Sequence, residues 1–513
     1  MVLKITLLIV FFAVMVAVGL YCKKHATDVR GFVLGGRSVG PWLTAFAYGT
    51  SYFSAVIFVG YAGQFGWKFG IASTWIGIGN ALLGSLLAWT VLGRRTRLIS
   101  QHLHAATMPD FFGKRYMSSS LKIAASALVF VFLIPYTASL YNGLSRLFSM
   151  AFPSISYTWC VIVMAILTGI YVIAGGYMAT AINDFIQGII MLGGIAAVIA
   201  AVLSKNGGFM EALNGLAAIE AEGVAPGAFN SFFGPDPLNL FFVVILTSLG
   251  TWGLPQMIQK FYAIKSEKDI NKGTIISTLF AVIVAGGCYF LGGFGRLFST
   301  ELGTAAMPNG GFDNVIPTML SGMPEILIAI VIILVLSASM STLSSLVLAS
   351  SSTLTLDLLK GHVMKNMSDK KQLLIMRALI VVFIAISAFI AINKDKLSAI
   401  ADMMGISWGA LAGAFLAPFL YGLYWKKTTK VSVWASFIFG AGIMILNMLA
   451  RESFPLMLQS PINCGVIAML GGLFLVPVVS WITPKPAKDK MEEMFACYNK
   501  TVTTTAKDSL GSE

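Results

Sequence analysis

The sequence predicts an all-α polytopic membrane protein of about thirteen transmembrane helices, and three observations point there. Of the 513 residues, 57% are hydrophobic and 11% charged, against roughly a quarter charged in an ordinary soluble domain. Apolar stretches of about twenty residues, enough to cross a hydrocarbon layer, recur along the whole chain. With the first segment entering from outside, 27 of the 35 Lys and Arg fall in loops on the inner side, as the bias of cytoplasmic loops toward positive charge requires. That asymmetry also accounts for the net charge of +13 without a nucleic-acid partner.

Taken in order, the spans are 3–22, 41–63, 69–93, 121–145, 157–177, 185–204, 238–258, 274–295, 325–350, 376–393, 398–423, 431–450 and 461–483. Lys23 and Lys24 follow the first apolar run and only Lys4 precedes it, so it reads as an uncleaved span with its N-terminus outside. The join between the fifth and sixth spans, GGYMATAIND, carries no base. Outer segments 205–237 and 296–324 are rich in Gly, Pro, Asn and Phe and read as extracellular loops, with gating pieces among them. The tail after Pro484 is polar and is expected to be disordered beyond Tyr498. The five cysteines are scattered, with neither disulfide nor metal-ligand spacing, and His102 and His104 read as loop residues. No phosphate loop, zinc-protease motif or nucleophile–base pair stands out, so the chain does not read as an enzyme.

Two spans are interrupted. The second reads AYGTSYFSAVIFVGYAG, with Gly49, Gly60 and Gly63 around Thr50, Ser51 and Tyr52. The seventh reads LTSLGTWGLPQMIQ, with Gly250, Gly253 and Pro255 in mid-span. Such residues free backbone carbonyls, which at membrane depth is tolerated only inside the protein or along a cavity. Breaks at matching places in two halves point to a transporter's binding site between inverted repeats. Spans two and seven are five apart, so the repeats would be spans two to six and seven to eleven.

The ninth span contains LSASMSTLSSLVLASSS, Leu336 to Ser352. On a helix Ala338, Ser341, Thr342 and Ser345 share one face, an uncharged row of oxygens suited to a small hard cation. Small residues there would also let neighbouring helices approach. Asp184, with Gln187 one turn on, stands near the start of the sixth span. It reads either as a functional acid in the membrane or as a helix cap.

The segments LGGRSVGPWLTA (34–45), TMPDFFGKRY (107–116), GGYMATAINDFIQ (175–187), the Trp252-Gly253 pair with Gln256, and SASMSTLSS (337–345) together resemble the sodium:solute symporter family over about residues 30–425. Within the family it resembles the sodium/proline and sodium/pantothenate symporters. The resemblance implies a LeuT-like core of inverted five-helix repeats with broken helices. The expected layout is a leading helix and inner loop over 1–40 and repeats over 41–204 and 238–423. Two C-terminal helices follow over 431–483, then a cytoplasmic tail over 484–513.

It further implies a sodium site from the carbonyls of Thr50, Phe53 and Ala338 and the hydroxyls of Ser341 and Thr342. A further sodium site in some members matches Asp184, Ser341, Ser344 and Ser345, so one or two ions are expected and no organic cofactor. Tyr52, Ser54, Tyr136, Trp252, Pro255 and Gln256 are the expected solute-binding residues, with Phe53 beside them. The proline carriers have Asp where this chain has Tyr52, and the sialic acid carriers have an arginine in span four that this chain lacks before Arg146. The expected function is sodium-coupled uptake of a small solute, an amino acid such as proline first, then pantothenate or another monocarboxylate. The rival class is a sodium channel or a transporter-like sensor. The expected setting is the plasma or inner membrane, C-terminus inside, with the bilayer and a small molecule as partners and no obligate protein.

Overall fold

The computed structural model describes residues 2–298, 311–364, 366–393 and 400–499. Among them it is helical, with one isolated bridge between Val39 and Ile264 outside the helices. The main elements are α1 (Val2–Cys22), α2 (Pro41–Tyr52), α3 (Ser119–Ala151), α4 (Tyr157–Lys205), α5 (Pro237–Leu249), α6 (Pro255–Ala263), α7 (Glu267–Ala281), α8 (Glu325–Thr353), α9 (Asp369–Ile392), α10 (Ile400–Tyr424), α11 (Lys430–Leu449) and α12 (Pro461–Ile482). Shorter pieces between them are named by range.

Ten continuous helical runs among the described residues are long and apolar enough to cross a membrane, or eleven when α5 and α6, bent by 48°, count as one span. This differs from the expected thirteen in two places. Val56–His102 is one run where the second and third spans were expected, and Tyr157–Lys205 is one where the fifth and sixth were. At 1.5 Å per residue each run would be about 70 Å long, more than twice a hydrocarbon layer of about 30 Å. Each run also turns at a glycine, with Gly70 at φ 61°, ψ −140° and Gly176 at φ 56°, ψ −146°. A side chain is strained at those angles, and a methyl on Gly176 would stand 2.7 Å from Phe32 O.

Burial orders the helices. In α8 and α10, 78% and 89% of the most apolar window is buried, against 22% in α1. The two enclosed helices therefore form the middle of the bundle. α8 packs on α3, α4 and α2, and α10 on α3, α11, α12 and the Gly250–Gly253 turn. The serine stripe is wholly inside, with Ser337 to Thr353 all buried.

The third-span region contains a π-helical stretch, Asn80–Leu87. Widening a turn to an i→i+5 pattern releases carbonyls for other partners. Gly84 O accepts from Tyr48 Oη at 2.8 Å and Thr251 Oγ1 at 3.2 Å, and Leu83 O from Trp252 Nε1 at 2.9 Å. This stretch thus anchors both interrupted spans.

Candidate functional site

The second span ends its first half at α2, and Phe53 then takes extended angles, φ −83°, ψ 120°. A helix leaves its last four carbonyls without intrahelical donors, which frees Thr50 O for partners on another helix, and Phe53 O beyond the helix end is free in the same way. In the seventh span α5 passes into a single tight turn, Gly250–Gly253. Leu254 is extended at φ −90°, ψ 123°, and Pro255 opens α6 at the helix position where its missing N–H costs nothing. Gly253 is required by contact, since a methyl there would meet Ala412 Cα at 2.6 Å.

The first break delivers its carbonyls to α8. Ser341 Oγ lies 3.0 Å from both Thr50 O and Ala338 O. Thr342 Oγ1 lies 3.1 Å from Thr50 O, 3.3 Å from Phe53 O and 3.1 Å from Ala338 O. Three carbonyls and two hydroxyls therefore crowd one buried point, and each hydroxyl has a single proton to give. Lone pairs outnumber donors. A hard cation of calcium's size, with oxygens at about 2.4 Å, would set neighbouring ligands about 3.4 Å apart, close to these spacings.

Asp184 lies inside α4 past the Gly176 turn and is completely buried. It caps nothing: the α4 cap is Ser156, whose hydroxyl accepts from Trp159 N. Its partner stands just past the expected seventh span, where the sequence reads as an inner loop. Lys260, on α6, is 2% exposed, and its Nζ lies 3.7 Å from Asp184 Oδ2, 3.0 Å from Ser345 Oγ and 5.2 Å from the centre of the Tyr177 ring. Ser345 also bonds Ser51 Oγ at 2.9 Å. Ser344 Oγ turns back to Ser341 O at 2.9 Å. The four residues expected around a further ion are thus divided. Ser341 faces the carbonyl cluster, Ser344 its own helix, and Asp184 and Ser345 an ammonium. The sequence did hold a clue, because Phe261, Tyr262, Ala263 and Ile264 continue apolar after Lys260, so the loop begins only at Lys265.

The residues expected to meet the solute are partly brought together. Tyr136 on α3 and Trp408 on α10 pack edge to face at 5.8 Å, and a methyl on Gly250 would stand 3.0 Å from Trp408. Gln256 sits in the first turn of α6, completely buried. Trp408 Nε1 and both amide atoms of Gln256 have no hydrogen-bond partner among the described residues, and the Tyr136 hydroxyl interacts with the Ser54 side chain. Ser54 Oγ accepts from Val56 N at 3.2 Å. Trp252 is 8% exposed, not turned to lipid, and its indole is committed to Leu83 O. The side chain of Tyr52 falls outside the described residues. Trp408 was missed because one aromatic in an Ala- and Gly-rich helix reads as packing.

The model of one family, the sodium:solute symporter family, matches residues 32–440. The chain is 27% identical over 482 residues to the osmoregulated proline transporter OpuE of Bacillus subtilis, covering 93% of this chain and 94% of that one. It is 30% identical over 453 residues to the sodium/proline symporter 2 of Staphylococcus saprophyticus, covering 86% and 85%. Its fold is similar to that of a Na+-coupled sialic acid symporter in a substrate-bound outward-open state, with a TM-score of 0.74, 16% identity, and 94% and 98% of the two chains covered.

Proposed function

The chain belongs to the sodium:solute symporter family, and from that premise we propose that it takes up L-proline with sodium across the cell membrane. The orientation that goes with this reading has the N-terminus outside and the C-terminus in the cytoplasm, supported by the distribution of Lys and Arg. The observation that carries the sodium part is the crowding of Thr50 O, Phe53 O, Ala338 O, Ser341 Oγ and Thr342 Oγ1 within 3.3 Å contacts. Five oxygens with two protons between them are poorly satisfied by each other and well satisfied by a cation. The proline part is supported by two relatives whose names give that solute.

The solute would lie between the breaks. Ser54 and Phe53 would be on one side and Pro255 and Gln256 on the other, with Tyr52 nearby and Tyr136 as a wall. Trp252 would shape that space through its turn. The Gln256 amide, buried without protein partners among the described residues, and Tyr136 Oη beside Ser54 could meet a carboxylate or imino group there. One charge moving through 100 mV releases about 2.3 kcal/mol, about forty- to fifty-fold in accumulation. Tyr52, standing where proline carriers have an acid, favours as second reading pantothenate or another monocarboxylate by the same coupling.

The test is uptake into proteoliposomes. Saturable uptake of labelled L-proline, driven by an inward sodium gradient and abolished when the gradient collapses, is the expected result. Uptake of pantothenate alone would move the assignment to the second reading. Ohmic sodium current without any solute would replace the carrier by a channel.

A further inference from the structure

We propose that the Lys260 ammonium is a tethered second cation, held by Asp184 and Ser345 in place of a second sodium ion, so that this carrier binds one sodium per cycle. The inference rests on the sodium reading above and adds the ion count.

The argument begins with charge. Asp184 is completely buried in α4, and an acid in that position needs a cation or a proton. The cation provided is covalent: Lys260 Nζ stands 3.7 Å from Asp184 Oδ2 and donates to Ser345 Oγ at 3.0 Å. The face of Tyr177 at 5.2 Å adds a third favourable surface. A sodium ion bound to Asp184 and Ser345 would lie within about 5.4 Å of that ammonium, and like charges at such a spacing in a partly shielded interior disfavour binding by about a hundredfold or more. The other two hydroxyls of the expected site turn to other partners. Ser344 Oγ is bonded to Ser341 O at 2.9 Å, and Ser341 Oγ stands 3.0 Å from Thr50 O and Ala338 O. Lys260 therefore neutralises Asp184 and takes up the Ser345 hydroxyl at once. Unlike a sodium ion, it never dissociates.

The experiment counts sodium-22 bound to the purified full-length chain by scintillation proximity, without solute, so the identity of the solute does not enter. Wild type should bind one ion and Lys260→Ala two, because Asp184 then needs a mobile cation. The double variant Lys260→Ala/Asp184→Asn should return to one. Two ions on the wild type would overturn the inference, as would a folded Lys260→Ala that still binds one. If Lys260→Ala does not fold, the wild-type count and the charge-free double variant decide: one ion on each supports the inference, and two on either overturns it. No ion on the wild type would sink the sodium reading itself, and this inference with it.

Discussion

Phe53 and Leu254 share nearly the same backbone conformation, φ −83°, ψ 120° and φ −90°, ψ 123°, yet their carbonyls go to different uses. Phe53 O turns toward Thr342 on α8 at 3.3 Å, whereas Leu254 O accepts from Met257 N and Ile258 N at 3.1 Å each and so closes the first turn of α6. The two breaks match in geometry, but only the first turns its carbonyls to α8. On the reading proposed above, the ion would lie at the first break and the second would present side chains.

The turn before Leu254 leaves no room beside α10. Gly253→Ala is expected to lower thermal stability by about 1–3 kcal/mol through overpacking, since its methyl would meet Ala412 Cα at 2.6 Å. A melting curve in detergent checks this, and an unchanged melting temperature would show that α10 yields freely.

Ser341→Ala removes one hydroxyl from the oxygen cluster, and Thr342→Val removes the other while keeping the branched shape of that fully buried side chain. Each should raise the half-saturating sodium concentration about tenfold, the equivalent of roughly 1.4 kcal/mol, with normal amounts of protein in the membrane. Sodium affinity left as in the wild type would place the ion elsewhere.

Tyr136→Phe deletes a hydroxyl that interacts with the Ser54 side chain, while keeping the ring against Trp408. If that hydroxyl meets the solute, KM for the solute should rise about tenfold. Thermal stability without solute should not fall. A variant that loses stability but keeps its KM would make Tyr136 a packing residue.

In the segment before α8 Asp313 accepts from Ile400 N at 3.3 Å and lies 3.6 Å from Arg146. Burial pushes its carboxyl above the ordinary 3.8, with Arg146 pulling the other way. The folded chain therefore holds this proton more tightly than the unfolded one, so its contribution to stability falls as pH rises from 3.8 through the raised value. Asp313→Asn should remove that decline. The difference in melting temperature between wild type and variant, followed across the acidic range, should shrink toward low pH; a constant difference would contradict the sign.

The parts of the fold that were legible in the sequence are those written in local chemistry. Glycine and proline mark the second break because they change the backbone where they stand, whereas at the first break Phe53 leaves the helix and the nearest glycine, Gly49, is helical; the hydroxyl stripe of α8 is visible because helical periodicity puts Ser341 and Thr342 side by side. The site's partners were less legible. Lys260 looked like a loop base, since counting charges by side of the membrane cannot tell a lysine folded back into the bundle from one in solvent. Asp184 looked half like a cap, because its distance from the Gly176 turn is set by a backbone reversal that residue types barely signal. The π stretch at Asn80–Leu87 has no compositional mark, and with it the anchoring of Trp252 to Leu83 stayed hidden.

The single bridge in this helical protein joins the approach to α2 with the exit from α6. Val39 N donates to Ala263 O at 3.3 Å and Lys265 N to Val39 O at 2.9 Å, while Gln259 Nε2 reaches Val33 O at 2.9 Å and Arg37 reaches Tyr262 O at 3.0 Å. These bonds tie the start of the second span to the end of the seventh, so the two would move as one lever. A swing that drew Lys260 off Ser345 would also pull on the carbonyls of α2, loosening the grip on sodium in the same stroke. Ion release and inward opening would then be one event with one barrier, and a mutation that loosened the tie would let the door open while its cargo stayed bound.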